Sequence, residues 1–103
     1  MGPRPWKPAV ELVGALDRGD LSLAKVLAAE AAEERPLPLS LAARFLPLVA
    51  AAGEDYDAWA RRWLVRWLEA TQRPTIEQAA ELAATLADLP AEPQALDGIL
   101  GIL

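Results

Sequence analysis

The side chains able to do chemistry in this chain are few in kind. None of its 103 residues is His or Cys. Thiolate nucleophiles, thiolate zinc sites and disulfides are therefore excluded. General acid–base work would fall to carboxylates, Lys7, Lys25 or Tyr56. The carboxylates cluster at Glu30/Glu33/Glu34, at Glu54/Asp55/Asp57 and at Glu77/Glu81. Glu30 and Glu34 stand one helical turn apart and could share a hard cation through oxygen ligands. The plainer reading makes the first and third clusters solvated helix faces. The second lies at a helix start, where acids are expected from capping and the helix dipole. A ferritin-like di-iron site needs Glu-x-x-His pairs, which a chain without His cannot supply. The six glycines are scattered, so no glycine-rich phosphate loop is formed. The expectation is a protein that is not an enzyme, with no catalytic residue, no metal and no cofactor.

A second chemistry is open to Arg61, Arg62, Arg66 and Arg73, which lie beside tryptophans. Guanidinium groups next to indoles suit phosphate contact with base stacking. The residues sit in the stretch 56–69, YDAWARRWLVRWLE, where Trp59, Trp63 and Trp67 recur at i, i+4 and i+8. In helical projection Tyr56, Trp59, Ala60, Trp63, Leu64, Trp67, Leu68 and Ala70 are expected on one half. Arg61, Arg62, Arg66 and Glu69 are expected on the other, away from the aromatic face. The net charge of −5 and pI near 4.6 also oppose a protein that holds phosphates. Nucleic acid is thus not the expected partner. An accessory role on nucleic acid through the Arg61/Arg62/Arg66 face stands as the alternative to protein binding.

The third candidate is the end of the sequence, 94–103, which closes on LDGILGIL. Leu96, Ile99, Leu100 and Leu103 recur at i, i+3, i+4 and i+7, as one helix face. Gly98 and Gly101 weaken such a helix by about 1 kcal/mol each. The segment is expected either to cap the domain's own end or to bind a partner. Leu96, Ile99, Leu100 and Leu103, with Arg62 and Arg66, are the candidate partner-binding residues.

These groups must be held by helices. Ala and Leu dominate and β-branched residues are scarce, so the expected class is all-α. Residues 1–8 carry Pro3, Pro5 and Pro8 and read as an extended proline-rich arm. Arg4 before Pro5-x-x-Pro8 resembles an SH3-type ligand, while the plainer reading folds Trp6 back on the core. Residues 9–90 form the expected helical domain and 91–103 an apolar tail or capping helix. The first helix runs to about residue 18, with Ala9, Leu12, Val13 and Leu16 as its stripe, and Gly19 stops it. Asp20 or Ser22 caps a second helix over 21–35, with Leu23, Ala24, Leu27, Ala28 and Ala31 inward. Ser40 caps a third over 41–52, apolar nearly all round and so central, which Pro47 should kink or split. Asp55 caps the tryptophan helix. Thr75-x-x-Gln78 is a capping box opening a fifth helix over 76–89, with Ile76, Ala79, Ala80, Leu82, Ala83 and Leu86 inward.

The longest apolar stretch, 37–53, is interrupted by Ser40, Arg44 and Pro47 and is too short to span a bilayer. With no charged-then-apolar leader pattern, the expectation is a cytoplasmic protein with no membrane partner.

Gly19-Asp20-x-x-x-Ala24 and Gly53-Glu54-x-x-x-Ala58 lie 34 residues apart, each between two expected helices. That is the tetratricopeptide period. Gly19, Asp20, Ala24, Ala28, Ala31 and Pro36 stand where that family places its glycine, small residues and closing proline, so 8–70 resembles stacked tetratricopeptide-like hairpins. Pro8, Glu11, Leu12 and Ala15 depart from the family's first-helix pattern, and Arg62 and Val65 replace small residues in the second unit. Small residues at these positions let any two helices approach closely, which is the competing account. The run RWLVRWLEATQRPTIEQAAELAATLADLP also resembles short helical proteins of high-GC Gram-positive bacteria, implying a bacterial source. Asp97, Gly98, Leu100, Gly101 and Ile102 are similar to the core of cargo-targeting peptides of encapsulin shells, which implies a cargo or adaptor bound through its tail.

The combined expectation is a small bundle of about five antiparallel helices arranged as tetratricopeptide-like hairpins. Its expected role is a non-catalytic protein–protein interaction module, whose partner is another protein or a second copy in a homodimer.

Overall fold

A computed structural model describes residues 7–103, with side chains from Val10 onward. The expected arm, Trp6 included, lies outside the described residues apart from Lys7 and Pro8. Among the described residues every regular element is helical: α1 Lys7–Asp17, α2 Leu21–Glu34, α3 Leu39–Ala43, α4 Phe45–Ala51, α5 Tyr56–Ala70, α6 Ile76–Asp88 and α7 Ala95–Ile102. No helix among them is long and apolar enough to cross a membrane.

The helix ends follow local chemistry. Gly19 takes φ +71° and Gly53 φ +73°, the left-handed conformation that ends α1 and α4. One residue later, Asp20 accepts the Leu23 amide at 3.1 Å and starts α2. Asp55 accepts the Ala58 amide at 3.2 Å and starts α5. Thr75 and Gln78 complete the reciprocal capping box of α6.

The third expected helix departs from expectation at its start and is split as Pro47 predicts. It begins at Leu39 with Pro38 as N-cap and no side-chain cap, so Ser40 lies inside it. Pro38, with φ −56° and ψ 144°, holds the extended entry without help from a hydroxyl. The helix also breaks at Arg44, three residues before Pro47. Pro47 has no amide to donate to the Ala43 carbonyl, and its ring would crowd that carbonyl in a continuous helix. The break leaves Pro47 in the first turn of α4, where the missing amide costs nothing.

Two clusters of buried side chains result. One joins Leu12, Ala15 and Leu16 of α1, Ala24 and Leu27 of α2, and Phe45 and Val49 of α4. The other joins Ala43 and Leu46 to Trp63 and Trp67 of α5, Leu82 and Leu86 of α6, and Ile99 of α7. The α3–α4 pair thus feeds both clusters. Tyr56 and Trp59 pack against both from α5.

Among the described residues six expected inward positions are exposed: Leu23, Leu68, Ala70, Ile76, and Ala80 and Ala83 of α6. Leu23 lies about 105° from the centre of the Ala24/Ala28/Ala31 stripe at ~100° per residue, and it stays on the flank of α2. Ile76, at the first position of α6, is 89% exposed because its turn precedes the packed part of the helix. Leu68 and Ala70, on the last turn of α5, are exposed as well.

Candidate functional site

The proline pair after α2 makes the site. Pro36 and Pro38 forbid a helix through residues 35–38, so that strip of backbone runs extended between α2 and α3. α5 supplies a donor to one carbonyl of this strip and another to the carbonyl of Leu39, the first residue of α3. The Trp63 indole Nε1–H donates to the Leu39 carbonyl at 2.9 Å. One turn on, the Arg66 guanidinium donates to the Leu37 carbonyl. These two bonds tie α5 to the connection. They leave an open groove of about 380 Å³ between α2, α3–α4 and α5.

The groove is apolar at its base and cationic at its edge. Phe45 and Trp59 stack in it with ring centroids 5.7 Å apart and planes 17° from parallel. Ala28 and Ala42, too small to fill the space, line it beside them. Trp59 is half-buried, whereas Trp63 and Trp67 are only 3% and 5% exposed. The Arg62 Cζ lies 5.3 Å and the Lys25 Nζ 5.9 Å from the centroid of the Trp59 ring, within cation–π range. Lys25 also donates to both Glu54 carboxylate oxygens, at 2.5 and 2.6 Å. Among the described residues Arg62 has no carboxylate partner.

The expected separation of arginines from tryptophans is therefore corrected. Arg61 and Glu69 are exposed, but Arg62 and Arg66 border the groove with Trp59 and Trp63. The spacing explains it. Residues 59, 62, 63 and 66 stand at i, i+3, i+4 and i+7, which is a single helix face. Relative to Trp59, Arg66 projects only about 20° away and Arg62 about 60°. Lys25, Phe45 and Ala28 were not anticipated as partners of this face. Phe45 and Trp59 are 14 positions apart and Lys25 and Glu54 are 29, so no local period links them.

The tail residues go elsewhere. Ile99 is fully buried, with Leu82, Leu86, Leu89 and Ala43 in its cluster. Leu96 and Leu100 pack partly buried against that cluster, and Leu103 is 49% exposed. No residue of α7 lines the groove. Of the six candidate partner-binding residues, Arg62 and Arg66 come together, Leu96, Ile99 and Leu100 form a separate contact, and Leu103, expected on that face, stays exposed at the end of α7.

On another side of α5, the Tyr56 hydroxyl donates to the Leu86 carbonyl at 2.5 Å. Its pKa is pushed up to about 12, first by burial and then by the negative charge of Asp57. It stays a neutral hydrogen-bond donor across the ordinary pH range. The acidic clusters are solvated: Glu30, Glu33, Glu34, Glu77 and Glu81 are all exposed. No group of three or more carboxylates converges among the described residues.

The groove can hold an apolar group and an anion at once, because an aromatic floor and guanidinium donors share one surface. No protein family, curated protein or solved structure matches this chain.

Proposed function

We propose that this chain is a non-catalytic protein-interaction module, and that a segment of a partner protein docks in the groove between α2, α3–α4 and α5. The observation that carries the reading is Trp59. A half-buried indole stacked on Phe45, in a concave apolar site, matches the anchor-receiving pockets of protein interfaces. The groove-lining side chains are aliphatic, aromatic or cationic, a set suited to recognition rather than to proton or group transfer.

The arrangement that supports this role is a pair of antiparallel helical hairpins, α1–α2 and α4–α5, in a tetratricopeptide-like stack. Two features favour it. Gly19 and Gly53 turn the chain through equivalent left-handed conformations. Each is followed by an acid at the next position, 34 residues apart. The resemblance of residues 62–90 to short helical proteins of high-GC Gram-positive bacteria supports a bacterial source, and the cytoplasm is the proposed compartment.

A second reading has one observation behind it. Arg62 and Trp59 share a surface, as a platform for stacking single-stranded bases would require. Against it stand the net charge of −5 and the neutralisation of Lys25 by Glu54.

Panning a fully random displayed peptide library on the wild-type protein and on Trp59→Ala tests the proposal. Sequences that enrich on the wild type and not on a Trp59→Ala variant with native circular dichroism are the expected result. No enrichment, or equal enrichment on both, would overturn the proposal.

A further inference from the structure

We infer that the partner segment is acidic: a large aliphatic or aromatic side chain sits on Phe45 and Trp59, and carboxylate side chains within a turn of it reach Arg62 and Arg66. The inference rests on the groove being a protein-docking site and adds the chemistry of its occupant.

The argument is one of charge complementarity. In a chain of net charge −5, the groove is lined by three cations and no carboxylate. Lys25 is already satisfied by Glu54. Arg66 spends a donor on the Leu37 carbonyl and keeps others, since a guanidinium carries five N–H groups. Arg62 lies over Trp59, and among the described residues it has no acid beside it.

Any segment that covers Trp59 also takes water away from Arg62. A neutral segment would leave that guanidinium desolvated and unpaired, and a basic one would add repulsion. An acidic segment converts the same burial into a charge-assisted, bidentate contact. The size of the site agrees. A space of about 380 Å³ lies at the small end of ligand pockets and suits one anchor with its flanks rather than a whole helix face.

A polynucleotide is less well matched. Its affinity comes from many phosphate contacts, and the groove offers two guanidiniums, Arg62 and Arg66, on a body of opposite overall sign.

Three displayed libraries with the same randomised apolar anchors test the inference. Their flanks are restricted to Asp and Glu, to Asn, Gln and Ser, or to Lys and Arg. A (dT) oligonucleotide is measured beside them. The expected result is enrichment from the acidic library. Synthetic peptides from that pool should lose about tenfold or more in affinity on Arg62→Glu. They should be unchanged on Arg61→Glu, which alters net charge equally but lies outside the groove. Both residues are exposed on α5, so native melting of both variants is expected. Binders drawn equally from the neutral or basic libraries overturn the acidic partner and leave the docking groove standing. So does equal sensitivity to Arg61→Glu and Arg62→Glu. No binder from any library, or oligonucleotide binding tighter than every peptide, overturns both.

Discussion

α5 carries tryptophans into two different surroundings. Toward the second half of the chain, Trp63 and Trp67 meet Leu82 and Leu86 of α6 and are almost fully covered. Toward α2, Trp59 meets Lys25 and the nearby Ala28, and part of its ring stays in solvent. The residue type and the helix are the same. Only the size and polarity of what faces the ring differ: branched aliphatics close the space, while a methyl group and an ammonium cannot. The closed side holds the fold together and the open side is the proposed docking surface, and substitutions should separate the two.

The largest effect belongs to the closed side. Trp63→Ala removes a buried indole and its bond to the Leu39 carbonyl, and should cost about 3–5 kcal/mol in chemical denaturation. A variant that unfolds at the parent's midpoint would erase the distinction between Trp63 and Trp59.

Ile99→Ala comes next, at about 2–5 kcal/mol, because Ile99 is the fully buried residue of α7. If α7 docks on its own chain, that loss is the same at every protein concentration. A loss that appears only at high concentration, where wild type would be dimeric, would move the contact to a second copy.

Tyr56→Phe probes the side of α5 that faces Leu86. Losing the bond to the Leu86 carbonyl should cost about 0.5–1.5 kcal/mol near neutral pH. Folding raises the pKa of Tyr56 from its ordinary 10.0 to about 12. The neutral hydroxyl is therefore the form the fold favours. Its contribution is complete below about pH 10 and is lost as pH climbs from about 10 to about 12. The chain has one tyrosine, so the difference between wild type and Tyr56→Phe should shrink across that window. A difference that is flat or grows with pH would contradict the buried donor.

The smallest effect is expected on the open side. The Lys25–Glu54 pair has side chains 39% and 36% exposed, and Lys25→Met should change stability by only ~0–1 kcal/mol. A loss near that of Ile99→Ala would mean that the groove's edge is structural after all.

Several features could be read before any fold was known, because they depend on neighbours within one or two turns. Asp20, Asp55 and the Thr75/Gln78 box start helices as their spacing demands, and Gly19 and Gly53 end them. The buried turns of α1, α2 and α6 follow their apolar periods. The Arg62/Arg66 edge was also within reach, since i, i+3, i+4 and i+7 from Trp59 is a local relation. Ser40 had the chemistry of a cap, yet Pro38 set the start of α3 two residues earlier. Ile76 had the right period but stands a turn ahead of anything that could cover it.

The groove itself has no local signature. It exists because Arg66 holds the connection at 35–38 through Leu37 and Trp63 holds the start of α3 through Leu39, 29 and 24 positions away from their acceptors. It exists also because Phe45 and Lys25 arrive at Trp59 from two other helices. Helix periodicity says which side chains share a face. How large a neighbour that face meets depends on the packing of helices distant in sequence. That packing buries Trp63 and Trp67 of α5 and leaves Trp59 half-buried at the groove.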